Sequence, residues 1–329
     1  MNDNVSYLSG EKLPDVQAMN MAVSAFLGVF QKQQFAFQPT LHDLIKRHAS
    51  LLDENQNNVR LGLKALLAQL SDEPLQLVLE GLEKGDDADL LSLAQELRDD
   101  VLTPLASVIN CLKADSDGFS SLPTIDGSTE RSRLEKNGTA LQEEIGRLSK
   151  LVEDEQKKRA TLSDAIEALE AKEVKLDLSG LVPTSEQLSA LAVPGAEAKL
   201  ALDAATKAMK DLEKMMGSLL EGMQYSELQE RRREVIKRVA DLEREVSDKS
   251  RQIKDIERQQ TMLDVIPELL AYAAGWVSTV RAIIGSLEGQ CARLKGASIA
   301  DVQDVNKLNA LFAEILNYNK SLLGLISKS

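Results

Sequence analysis

Two long segments with a heptad pattern, separated by a short segment that breaks it, constrain the fold of this chain more than any other feature. The first pattern contains Leu134, Leu141, Ile145, Leu148, Val152, Leu162, Ile166 and Leu169. The second contains Leu202, Ala205, Met209, Leu212, Met216, Leu219 and Met223, and resumes from Leu228 to Ile256. Apolar residues at such spacings are typical of coiled-coil helices. We therefore predict a long antiparallel helical hairpin.

The extent of each helix follows from the same pattern. Ser128 is a candidate N-cap for the first helix, and Ser179-Gly180 a candidate end, which predicts a helix of roughly 75 Å at ~1.5 Å per residue. Folding the two helices about the break places Leu148 beside Met223 and Leu134 beside about residue 238. The chain after residue 240 then lacks a hairpin partner and must pack elsewhere.

The break itself is LDLSGLVPTSEQLSALAVPGAEAKL, which holds two prolines, two glycines, three acidic residues and one lysine. Thr184 and Gln187 match a capping box and predict a short helix, SEQLSALA. Candidate hinges are Gly180, Pro183, Pro194 and Gly195. The apolar residues that we predict to contact a membrane are Leu176, Leu178, Leu181, Val182, Leu188, Leu191 and Val193.

The flanking regions hold several further amphipathic helices and no alternating run typical of strands. Pro104 predicts a kink or break in a helix, and ADSDGFSSLPTIDGST predicts a long loop. We predict an all-α fold, an elongated helical bundle (tail) with an antiparallel coiled-coil hairpin stalk ending in a proline-broken apolar tip. Its domains are the N-terminal helices of the tail (1–128), the stalk (129–239, with the tip at about 174–208) and the C-terminal helices of the tail (240–329).

Charge and hydropathy exclude several classes of function. The net charge of −13 disfavours nucleic acid and electrostatic capture by anionic lipid, since both require clustered cations. The run ERRREVIKR is interrupted by glutamates one turn away, which favours a solvated coiled-coil face. The apolar segments Val16 to Gln31 and Leu269 to Val280 are shorter than the ~20 residues that a membrane span needs. The N-terminal segment lacks the pattern of a secretory signal.

Catalytic and metal-binding patterns are absent from the sequence. His42 and His48 are six residues apart, unlike the pair of a zinc-binding helix. The ADSDG segment lacks the first and last ligands of a calcium loop. Cys111 and Cys291 fit no metal or redox spacing, and we interpret both as small buried apolar residues. We predict no enzymatic activity, no cofactor and no metal.

The apolar tip allows two interpretations. It can be a hydrophobic knob that only closes the coiled coil, or a latent hairpin that enters a membrane. An amphipathic hairpin cannot span a bilayer alone, because its polar face would meet hydrocarbon. In a ring of subunits the polar faces can line water, so the second interpretation requires an oligomer.

The layout of N-terminal helices, heptad hairpin, proline-broken tip and returning helices, together with ERRREVIKR, resembles the α-xenorhabdolysin family. These are bacterial binary α-helical pore-forming cytolysins, and the chain is similar to their smaller B subunit. The resemblance implies a partner A subunit, a hetero-oligomeric ring and insertion into the target-cell bilayer, with lysis as the result. It also implies secretion without a Sec signal and a soluble monomer before assembly at the host membrane.

The alternative from a different class is an intracellular coiled-coil scaffold or adaptor, in which the hairpin is a spacer and the tip docks a protein. The two hypotheses differ in one observable property. A pore-forming subunit should release dye from liposomes when it is mixed with its partner, and a scaffold should not.

Overall fold

The computed structural model describes residues 13–71, 73–85, 87–172, 180–192 and 194–327. Within these ranges the chain forms α-helices and one isolated β-bridge, and no strand, which confirms the all-α prediction. The helices are α1 (Val16–Gln31), α2 (Pro39–Ser71), α3 (Gln76–Leu82), α4 (Asp87–Ser121), α5 (Ser128–Leu169), α6 (Ser185–Ser189), α7 (Ala196–Met216), α8 (Tyr225–Leu263), α9 (Ile266–Gly296) and α10 (Val302–Ile326). A 3₁₀ turn, Gly217–Leu220, follows α7.

The chain divides into two compact units. The bundle unit contains α1 to α4, α9 and α10, and the hairpin unit comprises Glu130–Gln260. Residues 240–260, which the sequence analysis assigned to the C-terminal helices of the tail, are grouped by the structure with the hairpin.

A row of aromatic rings joins four helices of the bundle unit. Phe26 of α1 stacks on His48 of α2 at a centroid distance of 5.7 Å, and His48 meets the edge of Phe119 of α4 at 5.3 Å. Phe119 lies 4.7 Å from Trp276 of α9. Phe26 and Trp276 have no exposed surface. These rings belong to a core that also contains Met19, Phe35, Phe312 and many Leu, Ile and Val side chains.

Helix α4 differs from the sequence-based prediction in two places. The helix passes through Pro104 without interruption, and the buried residues Val101 and Leu105 are on either side of it. It also continues through ADSDGFSS to Ser121, so the loop predicted there is shorter than expected. Phe119 explains the second difference, because its packing against His48 and Trp276 favours helix over the Ser- and Gly-rich composition.

Helices α5 and α8 of the hairpin unit run antiparallel. Glu144 pairs with Lys249 at 2.8 Å, and Gln156 donates a hydrogen bond to Glu243 at 2.8 Å. Toward the tip, the hydroxyl of Tyr225 donates to Glu170. Residue numbers therefore fall along α8 as they rise along α5, as the predicted hairpin requires.

The register of the hairpin differs from the sequence-based prediction. Leu148 of α5 lies between Glu144 and Gln156, so its partners are near residues 243–249 of α8, and the predicted pairing with Met223 is wrong. The reason is that α7 does not continue into α8. The glycines Gly217 (φ 59°) and Gly222 (φ 76°) take left-handed conformations and break the return helix into two.

Helix α5 is also shorter than predicted. It ends at Leu169, whereas the sequence favoured an end at Ser179-Gly180. With 42 residues it extends about 63 Å at ~1.5 Å per residue. Residues 173–179 lie outside the described part of the chain.

Candidate membrane-contacting tip

A small apolar core lies where α5 ends and α8 begins. We call it the tip cluster, and its buried members come from α5, α6, α7, α8 and the segments that join them. They are Leu162, Ala165, Ile166, Leu169, Val182, Leu188, Leu202, Ala205, Met209, Leu212, Leu220, Tyr225 and Leu228. Ala171, Met215, Met216 and Met223 pack against it from half-buried positions. The heptad residues of α7 therefore face this cluster and not a long stalk seam.

The structure separates the predicted tip residues into two groups. Val182 is 7 % exposed and Leu188 is 0 % exposed, so both belong to the tip cluster and do not form its surface. Leu181 is 62 % exposed and Leu191 is 44 % exposed, so both side chains lie at the surface. Leu176, Leu178 and Val193 lie outside the described residues. Burial of Leu188 means that a membrane can reach it only after the tip cluster opens.

The capping box at the start of α6 is confirmed. The hydroxyl of Thr184 accepts a hydrogen bond from the backbone N–H of Gln187 at 3.1 Å, and the Gln187 side chain accepts from the Thr184 N–H at 2.9 Å. These contacts satisfy two of the N–H groups that an α-helix leaves free at its first turn. They hold α6 in the orientation that buries Leu188.

A carboxylate that the sequence analysis did not identify completes the first turn of α6. Glu213 of α7 accepts two hydrogen bonds from Ser185, one from its backbone N–H at 2.7 Å and one from its hydroxyl at 2.6 Å. An anionic acceptor at a helix N-terminus is favourable for both hydrogen bonding and the helix dipole. Glu213 therefore fastens α6 to α7.

A second polar contact closes the tip on the side of α5. The Tyr225 hydroxyl donates to Glu170 at 2.5 Å, and Gln229 donates to the same carboxylate oxygen at 3.3 Å. Burial raises the pKa of Tyr225, and the hydrogen bond to Glu170 raises it further. The phenol is thus kept protonated as a donor, and the end of α5 is tied to the start of α8.

The candidate hinges have different roles. Gly195 has φ 105° just before α7, a conformation that side chains disfavour, so its position as a hinge agrees with its backbone. Gly180 contributes its carbonyl, which accepts from the Tyr225 N–H at 3.2 Å. Pro183 and Pro194 flank α6 at either side. The positive φ values of Gly217 and Gly222 identify two further breaks, which the sequence analysis had read as part of a continuous helix.

Apolar side chains are exposed around the tip cluster. Leu181, Leu191, Leu200 and Leu219 are 62 %, 44 %, 70 % and 68 % exposed. Among the described residues of the hairpin unit, Leu151 and Ile236 are the other large apolar residues that are exposed, at 36 % and 44 %. The tip therefore combines a buried apolar core with an apolar surface.

Within the described residues, one helical stretch is long and apolar enough to cross a membrane, Tyr225–Gly296, which contains α8 and α9. Its most apolar 18 residues have a mean hydropathy of 1.2, and 33 % of them are buried. Core helices of soluble proteins can be equally apolar. Trp276, Val280 and Ile283 of α9 are fully buried in the bundle unit, so part of this apolar character belongs to the bundle core.

His48, which the sequence offers as a candidate for chemistry, packs against the rings of Phe26 and Phe119. In the described part of the chain, no group of three or more His, Cys, Asp or Glu that could bind a metal occurs. Cys291 is buried as predicted, but Cys111 is only partly buried and lies 3.7 Å from a carboxylate oxygen of Asp115. Burial raises the pKa of both thiols.

The fold is similar to that of several solved bacterial proteins. XaxB from Xenorhabdus nematophila matches with a TM-score of 0.78 at 16% sequence identity, over 94% of this chain and 96% of that chain. PaxB from Photorhabdus luminescens matches with a TM-score of 0.72 at 14% identity, over 96% and 98%. A chain of the YaxAB pore complex matches with a TM-score of 0.62 at 15% identity, over 96% and 99%.

No protein-family model matches the sequence, and a search of curated proteins found no match. The likeness therefore lies in the fold. It confirms the fold that the resemblance to the α-xenorhabdolysin family implied.

Proposed function

We propose that this chain is the B-type subunit of a binary α-helical pore-forming toxin of the α-xenorhabdolysin family. It associates with an A-type partner, oligomerises at a target membrane and inserts apolar helices from its tip. The observation that carries the proposal is the tip itself, where Leu181, Leu191, Leu200 and Leu219 are exposed around a small apolar core. The shared fold with XaxB, PaxB and a chain of the YaxAB pore complex supports it.

Exposed leucines provide the first contact with lipid. A leucine side chain that leaves water contributes about 1.5–3 kcal/mol when it is fully buried. The four leucines are partly exposed already, so their transfer to lipid requires no unfolding. This step needs the tip alone.

Insertion requires a second step, in which the tip cluster opens. Leu188 and Val182 are buried against α5 and α7, and they can face hydrocarbon only when α6 leaves its site. The contacts of Ser185 with Glu213 and of Tyr225 with Glu170 must break in that step. Methionines such as Met209 and Met216 line the cluster, and their flexible side chains can repack in a new environment.

Oligomerisation follows from the polar faces of the released helices. A single amphipathic hairpin in a bilayer would expose charged residues to hydrocarbon, which costs several kcal/mol. In a ring these faces can line water, and a partner subunit can supply part of the wall. The chain is therefore proposed to act in a hetero-oligomer and not alone.

Site-specific fluorescence tests the membrane contact. A cysteine at the exposed Leu191, labelled with an environment-sensitive dye, should shift blue when partner and liposomes are both present. The matched control is a dye at Leu151, which is similarly exposed but belongs to the middle of α5. Equal shifts at both positions would contradict a tip-specific contact, and no dye release from liposomes with partner would favour the scaffold.

A disulfide across the β-bridge tests the opening of the tip. Leu181 and Gln224 form an antiparallel bridge, flanked by hydrogen bonds between Val182 and Met223 and between Tyr225 and Gly180. Paired residues in such a bridge have Cα atoms about 4.5–5.5 Å apart, within the range that a disulfide needs.

Cysteines at Leu181 and Gln224, in a chain whose two native cysteines are replaced, should lock the tip. The oxidised protein should bind its partner but release no dye, and reduction should restore release. The two single-cysteine variants serve as controls. Full activity of the verified cross-linked form would show that the tip need not open, although pore formation could still stand.

A further inference from the structure

Two basic segments that are far apart in sequence lie side by side in the hairpin unit. One is EQKKR, residues 155–159 of α5, and the other is RRREVIKR, residues 231–238 of α8. Together they hold eight Lys or Arg and two Glu, and with the adjoining Glu153, Asp154 and Glu230 the local net charge is +3 in a chain whose net charge is −13. We call these two segments the basic collar. Neither segment alone is unusual for a coiled-coil surface.

The contacts of Glu155 show that the two segments meet. This glutamate is 6 % exposed, and one carboxylate oxygen lies 3.0 Å from Lys158 of its own helix and 3.7 Å from Arg238 of α8. A buried carboxylate with cations from both helices fixes their register at this level. The other cations of the two segments are thereby held on the same part of the hairpin.

Several collar cations have no ion-pair partner. Arg159, Arg233 and Lys237 are exposed, and within the described part of the chain none of them has a carboxylate within 4.0 Å. In contrast, Lys157 pairs with Glu153 and Arg231 with Glu234. The three unpaired cations are available to an external anion.

The collar adjoins the tip cluster. Arg159 lies three residues before Leu162 along α5, and Arg231 lies three residues after Leu228 along α8. Val235, inside the second basic segment, packs against the tip cluster from a half-buried position. A tip that enters a bilayer would therefore bring the collar to the headgroup layer beside it.

We infer that the basic collar binds anionic phospholipid headgroups when the tip enters a bilayer. The inference rests on the proposed function and adds to it the chemical class of lipid that the hairpin recognises. At physiological ionic strength the effect of charges farther than about 8 Å is screened. The lipid surface therefore meets the local excess of cations, above all the three without an ion-pair partner, and not the net charge of −13 of the whole chain.

Vesicle flotation of the full-length chain, with and without its partner, tests this inference. The vesicles contain either phosphatidylcholine alone or phosphatidylcholine with phosphatidylserine. The collar variant combines Arg159→Gln, Arg233→Gln and Lys237→Gln. The matched control combines Arg244→Gln, Arg251→Gln and Arg258→Gln, which remove three cations from α8 farther from the tip, each paired with an aspartate one turn earlier.

Wild type and control should bind the phosphatidylserine vesicles more tightly than the neutral ones, and high salt should remove the difference. Each exposed cation near an anionic surface contributes roughly fivefold in affinity, so the collar variant, which lacks three of them, should bind roughly 100-fold more weakly. Circular dichroism checks that all three proteins are equally helical.

Any of three outcomes would overturn the inference. The first is that wild type and the collar variant bind the phosphatidylserine vesicles equally, and the second is that the control variant loses as much vesicle affinity as the collar variant. The third is that the collar variant no longer binds the partner subunit in a lipid-free pull-down. The last outcome would assign the cations to a protein interface. Failure of the proposed function would be seen in a different measurement. Wild type with its partner would then release no dye from either kind of vesicle, while flotation would still measure whether the collar binds anionic lipid.

Discussion

The bundle unit and the tip of the hairpin unit are both apolar cores between helices, but they are built from different side chains. The bundle core contains Phe26, Phe119 and Trp276 in ring contact with His48. The buried members of the tip cluster are aliphatic apart from Met209 and Tyr225, and three further methionines pack against it from half-buried positions. Large rigid rings specify a single packing, whereas methionine and leucine can repack.

The two cores also differ in how their helices are joined. Apart from the short α3, the bundle helices have 16 to 35 residues. At the tip a helix of five residues, α6, is held by the Glu213 contact and by Leu188. We therefore expect the bundle unit to keep its arrangement when α6 leaves its site, as the proposed function requires.

Trp276→Ala should produce the largest loss of stability. Its ring is fully buried against Phe119, and removal of a large aromatic side chain from a core costs about 3–5 kcal/mol. Denaturant unfolding monitored by circular dichroism measures the loss. The exposed Met21→Ala in the same unit should change stability by less than about 0.5 kcal/mol. A small effect of Trp276→Ala would remove the contrast between the two cores.

Leu188→Ala should cost about 2–4 kcal/mol locally, because it creates a cavity in the tip cluster. The bundle unit should keep its stability, so hydrogen exchange should speed up in α6 and α7 and not in α1 or α9. The exposed Leu191→Ala is the control, with little expected effect. Equal loss of protection in both units would mean that they unfold together and that the tip is no more labile than the bundle.

Glu213→Gln should have a smaller effect on the same region. The amide oxygen can still accept from the Ser185 N–H and the NH₂ group can donate to the Ser185 hydroxyl, so both hydrogen bonds can persist but lose their charged acceptor, at a cost of about 1 kcal/mol. Faster exchange of the first α6 amides and faster dye release with partner are expected. Glu186→Gln removes a carboxylate from the exposed side of α6 and should change neither rate. Slower dye release by Glu213→Gln would show that this contact is not a restraint on opening.

A modest pH dependence should distinguish the bundle unit from the tip. Burial lowers the pKa of His48 from its ordinary value of 6.5, although the carbonyl of Leu44 opposes the shift. The unfolded chain then binds a proton more readily than the native bundle. The contribution of His48 to the free energy of unfolding is therefore complete above about pH 6.5 and decreases as the pH falls through that value.

Urea unfolding of wild type and His48→Gln between neutral and mildly acidic pH measures this effect. The free energy of unfolding of His48→Gln should depend less on pH than that of wild type, and His42→Gln should keep the wild-type pH dependence. The rings of Phe26 and Phe119 face the imidazole of His48 and offer a proton no anionic partner. An increase in wild-type stability on mild acidification would contradict the assigned direction.

The sequence determined those features of this protein that depend on neighbouring residues. Heptad spacing identified two helical segments that fold back on each other, because an amphipathic face exists before any partner is known. The capping box of Thr184 and Gln187 was found correctly, since both hydrogen bonds span three residues. Gly195 was recognised as a break because glycine favours the backbone that it adopts there.

Tertiary structure alone decided which residues meet across long distances. The pairing of Leu148 with Met223 failed because two glycine turns shorten the return helix, and heptad patterns fit several registers equally well. Leu188 and Leu191 look alike in sequence, yet the site of α6 against α7 buries one and exposes the other. The contact of Glu213 with Ser185 joins residues 28 positions apart, and the two collar segments meet although they are about 80 positions apart. No local rule specifies such pairs, because many other carboxylates and cations in the sequence could form them equally well.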